Sequence, residues 1–506
     1  MFIFFIYIFF RKFALTFVLY YMNILLSISN AGEWIYNFIY LTIILLNIIF
    51  IILIISENRN PVKTIAWLSV LTLLPVVGFV FYLFFGRDQR SQRMISRRSK
   101  RKLERLVNNS ISVSNTNIPN FKDATQQLII LGNKLTRAFV TINNKIDIFT
   151  CGKDKYYILF NDLKNAKSFI HIQYYIIEND NLGNQLKRLL IQKASEGVEV
   201  RVLYDDVGCW SLREKDFFDS MISAGIDAKP FFKVTFPQLA NKLNYRNHRK
   251  VAIIDGTIGY VGGMNIADRY VTGGKWGEWR DTHIRIEGEA VKELQAIFMV
   301  DWNFTTKELL SDSSYFPKTK NFPNGATIQL LTSGPLDEHK SIFLMFSKII
   351  SNASERVFIQ TPYFLPNSAA INALKIAALS GVDVRIMIPY HSDSKLLQKA
   401  SNSYITEMLK SNVKIYFYKK GFLHAKTILV DDEITSIGST NFDSRSFEQN
   451  FEINAFIYDK EFNSRYAEIF MQDLKECRRV SIKSWNRRSI FSKIAESIAR
   501  LFSPIL

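Results

Sequence analysis

Cysteine is scarce in this chain: three in 506 residues, at positions 151, 209 and 477. So odd and scattered a set excludes a disulfide framework and any paired CxxC zinc site. Acid is also in deficit, with 46 Asp and Glu against 64 Lys and Arg, a formal net charge of +18. That surplus calls for an anionic partner, and on charge alone nucleic acid and anionic lipid suit equally. Apolar residues are not lacking. They make up 48% of the chain, with 41 Phe. A disordered chain is excluded, and the length permits two to four domains with a sizeable core.

Charge is absent from two long runs near the start, 34–55 and 64–86. Each is long enough to cross a hydrocarbon core of about 30 Å at about 1.5 Å per residue. The link between them, 56–61, is short and polar, so the pair reads as a helical hairpin; Pro75 interrupts the second run, which membrane helices tolerate. Residues 1–29 are apolar apart from Arg11 and Lys12. They fit a third span, a signal sequence without a convincing cleavage site, or an upstream start with Met22 as the natural first residue. Residues 87–105 hold nine Lys and Arg against Asp88 and Glu104. By the positive-inside rule the chain that follows lies in the cytoplasm.

From about residue 120 strands and helices alternate. Residues 169–175 read as a buried strand, 186–194 as a helix and 198–203 as the next, parallel strand. The order returns with 357–360, 369–378 and 382–387. GVEVRVL at 197–203 and GVDVRIM at 381–387 are near copies. A long-period duplication predicts two similar lobes about a pseudo-twofold axis, and a site on that axis receives one set of groups from each lobe.

Polar residues repeat as well. His248, Lys250 and Asp255 form HxKxxxxD, and so do His424, Lys426 and Asp431. Asn265 and Asn441 follow their histidines at the same interval, preceded by Gly262-Gly263 and Gly438-Ser439. The β-branched run after each His reads as a strand, and His and Lys at i and i+2 then share a face. Asp255 has the opposite parity and lies about 23 Å away at about 3.3 Å per residue, so a structural role at the strand end suits it better than orienting its own His. Glycine steps let backbone approach a ligand closely, and Asn amides can donate to phosphoryl oxygens. Two His, two Lys and two Asn on a twofold suit displacement at a phosphodiester. One imidazole attacks phosphorus, the other protonates the leaving oxygen, and the cations and amides neutralise charge. No carboxylate cluster beside these His residues suggests a metal site.

These paired motifs resemble those of the phospholipase D superfamily, and the chain from about Asn60 onward resembles the bacterial cardiolipin synthases within it. The resemblance rests on 61–86, Trp279-Arg280-Asp281, Asp301-Trp302-Asn303, Gln360-Thr361-Pro362-Tyr363-Phe364 and GSTNFDSRS at 438–446. It implies an α/β fold of duplicated phospholipase D-type lobes, two mixed sheets flanked by helices with a pseudo-twofold active site, behind a transmembrane hairpin. The implied organisation is a membrane region at 1–86, a basic linker at 87–120, lobes at 121–325 and 326–480, and a C-terminal helix at 481–506. The implied reaction is ping-pong transfer between two phosphatidylglycerols, donor and acceptor, giving cardiolipin and glycerol through a phosphohistidine without a cofactor or metal. The resemblance counts His248, Lys250, Asp255, His424, Lys426 and Asp431 as the catalytic motifs, with His248 as nucleophile and His424 as acid and base. Phosphate contacts are expected at Asn265, Asn441, Gly263 and Ser439, where Ser439 departs from the Gly263 of the first lobe and its hydroxyl binds phosphate or merely fits; the resemblance implies orientation of His248 by Glu452 and His424 by Asp281. The implied location is the bacterial plasma membrane, multi-pass, with the lobes on the cytoplasmic side.

A lipid hydrolase giving phosphatidic acid uses the same chemistry with water as acceptor. A nuclease of the superfamily would also be basic but has no use for membrane spans, and a decayed scaffold would not keep both motifs intact. His171 alternates within an apolar strand, which suits a structural role. His283 follows the Trp-Arg-Asp block closely enough to support the site from behind, while His339 and His391 have no partner pattern. At the C-terminus Ile490, Phe491, Ile494, Ile498, Leu501 and Phe502 form an apolar stripe flanked by bases, which can pack on the core or lie on a membrane surface. Residues 478–506 hold seven bases and one acid, a net of +6; 87–105 hold +7 and 1–86 hold +2, which leaves +3 for 106–477. The charge thus sits in two short clusters rather than across the catalytic body, which favours an anionic lipid surface over nucleic acid.

Overall fold

The computed structural model describes residues 31–56, 61–74, 78–79, 82, 94, 96–110, 121–212, 216–233 and 245–503. The chain divides into two compact units, Met1–Asp88 and Gln89–Leu506.

In the first unit the uncharged run 34–55 lies within the helix Ala31–Ser56. Its stretch Asn37–Ser56 is, among the described residues, the one helix long and apolar enough to cross a membrane. Large apolar side chains such as Phe38 and Ile52 stay exposed along it, as a lipid-facing helix requires. In the second run, expected to span 64–86, the helix Pro61–Leu73 has Pro at its first turn and ends just before Pro75, and residues 78, 79 and 82 beyond it are again helical. Proline has no N–H to donate and disfavours helical backbone in the residue before it. Beyond residue 74 only 78, 79 and 82 of that run are described. Ile54, Leu71 and Tyr82 close a small core, with Trp67 edge-on to Tyr82 at 5.3 Å. Residues 1–29, most of the link 56–61 and the start of the basic run 87–105 lie outside the described residues.

Among the described residues the second unit is built on one 16-stranded sheet, whose halves share an order of seven strands. From its edge inward the first half runs Asp227–Phe231, Glu199–Asp205, Phe169–Tyr174, Val251–Ile254, Ile258–Gly262, His283–Glu287 and Val140–Phe149. The second carries an extra edge strand, Cys477–Arg479, antiparallel to the next, and then runs Lys414–Tyr418, Asp383–Pro389, Arg356–Gln360, Thr427–Val430, Ile434–Gly438, Asn450–Ile457 and Ala326–Ser333. In each half the first three strands of this shared order are parallel and the ones inside them antiparallel. The halves join where Val140 and Thr141 oppose Gln329 and Ile328, so the two lobe sheets are continuous. The parallel strands are covered on both faces, and all of Phe169–Tyr174 is buried. The helix Ala290–Thr306 lies across the first half and Lys460–Lys475 across the second.

Candidate active site

Each motif histidine sits at a crossing between lobes, not within a strand as its sequence suggested. Arg246–Asn247, just before His248, pairs in parallel with Asn450 and Phe451 of the other lobe. Gly421–Leu423, just before His424, pairs in parallel with Glu278–Arg280 of the first lobe. The strands of each lobe's own sheet begin only at Val251 and Thr427. Backbone of residues 248–250 and 424–426 therefore bends from one lobe's ladder into the other's. The His248 N–H donates to the Phe451 carbonyl (2.9 Å) and the His424 N–H to the Arg280 carbonyl (2.7 Å).

This exchange sets each imidazole beside a carboxylate of the opposite lobe. His248 Nδ1 is 3.0 and 3.1 Å from the two Glu452 oxygens, and His424 Nδ1 is 2.6 Å from Asp281 Oδ2. Both carboxylates are fully buried. Burial alone would raise their pKa values, but the facing His248 and Lys250 at Glu452, and Lys426 and His424 at Asp281, hold both below the ordinary range. A proton shared on Nδ1 leaves the Nε2 lone pair as the reactive position of each ring. Lys250 Nζ turns back to the His248 carbonyl at 2.5 Å, and Lys426 Nζ lies 2.7 Å from His424 Nδ1. Burial lowers both lysines, Lys426 to about 8. The two motifs sense each other: Lys426 acts on His248 and on Lys250.

Burial is also the largest influence on both histidines and pushes each down to about 4, well under the 6.5 of a free imidazole. A base with a depressed pKa keeps its neutral, nucleophilic form at lower pH. Inactivation by diethylpyrocarbonate, which needs neutral imidazole, is therefore expected to hold a level rate from pH 7 down to about pH 5. A rate that halves near pH 6.5 would contradict the burial argument.

Asp255 and Asp431, counted with the catalytic motif by resemblance but given a structural role by strand parity, serve the backbone. Asp255 accepts from the N–H groups of Lys167, Ser168 and Phe169 at 2.7–3.0 Å, and Asp431 from those of Ser354, Glu355 and Arg356 at 2.9–3.0 Å. Each holds the loop that leads into the neighbouring strand, from a turn residue with φ near +50°. Gly263 and Ser439, expected at the phosphate, face the carboxylates. A Cβ on Gly263 would run into Asp281, so only glycine lets that carboxylate reach His424. The Ser439 hydroxyl donates to Glu452, which also accepts from Asn450 Nδ2 at 3.1 Å. The longer Glu452 leaves room for that hydroxyl, which accounts for the Gly-to-Ser difference between lobes.

Asn265 is occupied structurally. Its Oδ1 accepts from the Ile176 N–H (3.2 Å) and its Nδ2 donates to the Tyr270 hydroxyl (2.9 Å). Asn441 is buried with Oδ1 unpartnered among the described residues. His171 is a core residue stacked on Phe298 at 4.5 Å, and His283 is buried against Gly262 behind Lys250.

Other contributors were given no role by the sequence, although Arg280, Asp301 and Gln360 stand in blocks that carry the resemblance. Tyr270 reaches across the lobes to 3.3 Å from His424 Nδ1. Tyr175 stands edge-on to His248 at 4.9 Å. Two ion pairs, one buried and one partly buried, brace the crossings. Arg249 grips Asp301 at 2.6 Å to both oxygens and donates Nε to the Glu452 carbonyl. The second motif has Ala425 at that position, and Arg280 of the first lobe fills the role by gripping Asp473 at 2.8–3.1 Å. Gln173 and Gln360 donate to these aspartates in turn. Removing one partner of the buried pair costs about 3–5 kcal/mol.

The model of the family described as "Cardiolipin synthase, PLD-like domain" matches residues 159–302 and 346–474, and a "Phospholipase_D-nuclease N-terminal" model matches 45–87. The chain is 41% identical over 493 residues to cardiolipin synthase 2 of Staphylococcus epidermidis, covering 94% of this chain and 99% of the relative. It is 42% identical over 475 residues to the major cardiolipin synthase ClsA of Bacillus subtilis, covering 91% and 98%. Among solved structures, phosphatidylserine synthase of Haemophilus influenzae shares the fold, with a TM-score of 0.58 at 13% identity over 77% of this chain and all of that one.

Proposed function

This chain belongs to the cardiolipin synthase family of the phospholipase D superfamily, and from that premise we propose that it joins two phosphatidylglycerol molecules into cardiolipin and glycerol. Phosphatidyl transfer is the reaction of the family. The observation that carries the reading for this chain is the reciprocal pair of histidines, each held at Nδ1 by the other lobe's carboxylate, which leaves Nε2 to react.

His248 Nε2 attacks the phosphorus of the first phosphatidylglycerol. A phosphorus–nitrogen bond forms, the bond to the glycerol oxygen breaks, and that oxygen takes a proton from His424. Arrival of the phosphodiester anion favours a proton on His424, whose imidazolium Asp281 stabilises. Lys250, Lys426 and Asn441 bear on the phosphoryl oxygens as charge builds there. The free primary hydroxyl of the second phosphatidylglycerol then gives its proton to His424 and attacks phosphorus. The phosphorus–nitrogen bond breaks and His248 is restored. The burial of Lys250 and Lys426 beside the two histidines supports their part in neutralising the phosphoryl charge. Residues 121–325 and 326–480 are the lobes in this reading, and the apolar hairpin holds them at the cytoplasmic face of the plasma membrane.

The test is purified protein in detergent with phosphatidylglycerol as sole lipid and a chelator present. Cardiolipin and glycerol are expected in equal amounts. Phosphatidic acid as the only product would replace transfer with hydrolysis.

A further inference from the structure

The C-terminal helix Ile490–Leu501 packs the wrong way round for a helix of a water-facing protein. Its inward face is polar and small: Glu496 and Ala499 are buried. Glu496 receives Arg488, whose guanidinium lies 3.4 Å over the Trp485 ring, and the Ser492 hydroxyl at 3.3 Å. Arg500 spans to the helix Lys395–Lys410, 4.3 Å over the Tyr404 ring and 3.6 Å from Glu407. Trp485 is itself buried and packs on Phe417 at 5.8 Å. These contacts fix the rotation of the helix about its axis.

The outward face is the apolar one. Phe491 is 80% exposed, Leu501 78%, Ile490 64%, Ile498 54% and Ile494 50%. Arg478, Arg479, Lys483 and Arg487 are exposed on the preceding segment, within a stretch of seven bases and one acid. An ordinary amphipathic helix buries its apolar stripe; here polar anchors hold that stripe outward, ringed by bases. Two like copies meeting on this face would bring equal positive clusters together across a twofold axis. An anionic bilayer complements both the apolar stripe and the charge.

We propose that this helix is a second membrane contact, lying flat in the headgroup layer of an anionic bilayer and holding the catalytic unit against the surface that carries its substrate. The inference rests on the phosphatidyl-transfer reading only for the location of the substrate. Its first test needs no turnover. The full chain with Cys151→Ser and Cys477→Ser, leaving buried Cys209, is given Ile498→Cys, labelled with a fluorophore and reconstituted in nanodiscs containing doxyl-labelled lipid. With phosphatidylglycerol present, quenching is expected to be at least about threefold that of labels at the exposed positions Tyr157→Cys and Ile376→Cys, and to fall when phosphatidylcholine replaces it. Quenching no greater than at those two positions, or cross-linking of Ile498→Cys between copies, would overturn the proposal. A second variant, Phe491→Ser with Ile494→Ser and Leu501→Ser, is expected to lose several-fold turnover in phosphatidylglycerol bilayers and none in detergent micelles. Equal turnover in both would overturn the proposal too.

Discussion

Replacing His248 with Ala is expected to abolish cardiolipin formation, by roughly 10⁴-fold or more in kcat, and His424→Ala is expected to do the same. The two losses arise at different steps. Without His248 nothing attacks phosphorus at the position held by Glu452. Without His424 the leaving glycerol oxygen must depart as an alkoxide, and the incoming hydroxyl has no base. Because the imidazoles act as one unit, the double variant is expected to be no slower than either single one. Neither substitution touches the ion pairs Arg249–Asp301 and Arg280–Asp473, so thermal melting checks that the fold persists. Substantial turnover in either variant would refute the two-histidine scheme.

Glu452→Gln is expected to lower kcat by roughly 10²–10⁴-fold, the range seen when an imidazole loses the carboxylate that sets its tautomer. Glutamine keeps the size, but its amide offers a donor to His248 Nδ1 where a carboxylate accepts. The imidazole proton is then favoured on Nε2, the nitrogen that must attack. Glu452 is wholly buried and faces Lys250 as well as His248, so removing its charge also leaves a cation less compensated and lowers the melting temperature. Ser439→Ala removes one hydrogen bond to the same carboxylate and is expected to cost about tenfold or less, in line with about 1 kcal/mol for such a bond. A loss below tenfold for Glu452→Gln, or an effect of Ser439→Ala equal to it, would contradict the assigned order.

Much of the site could be read from the chain because duplication makes spacing informative. HxKxxxxD with an Asn at a matched interval after each His stands out against chance. Parity along a strand already separated Asp255 and Asp431 from their histidines, and the structure gives both a backbone task. What spacing could not show is pairing across lobes. The short ladders at Arg246–Asn247 and Gly421–Leu423 join segments of opposite lobes, far apart along the chain, and no local pattern in either segment encodes that register. The same limit hid the role of Arg280, whose block carries the resemblance but which serves the second lobe from the first because Ala425 leaves the place open. Tyr270 was silent for the same reason. A glycine step near a catalytic histidine reads as room for a ligand, whereas the side-chain space at Gly263 and Ser439 faces the Asp281 and Glu452 carboxylates. At the C-terminus the stripe was plain, but its direction depended on Glu496 and Arg500 finding partners beyond their own helix.

A covalent phosphatidyl group carried by His248, while the second lobe handles the proton, is the centre of this mechanism. Acid-free quenching of the enzyme with phosphatidylglycerol labelled at phosphorus, followed by peptide mapping, tests it most directly. The expected result is a base-stable, acid-labile label on the peptide that contains His248, absent in His248→Ala. Label on the His424 peptide, or turnover with no labelled protein at any time, would contradict it.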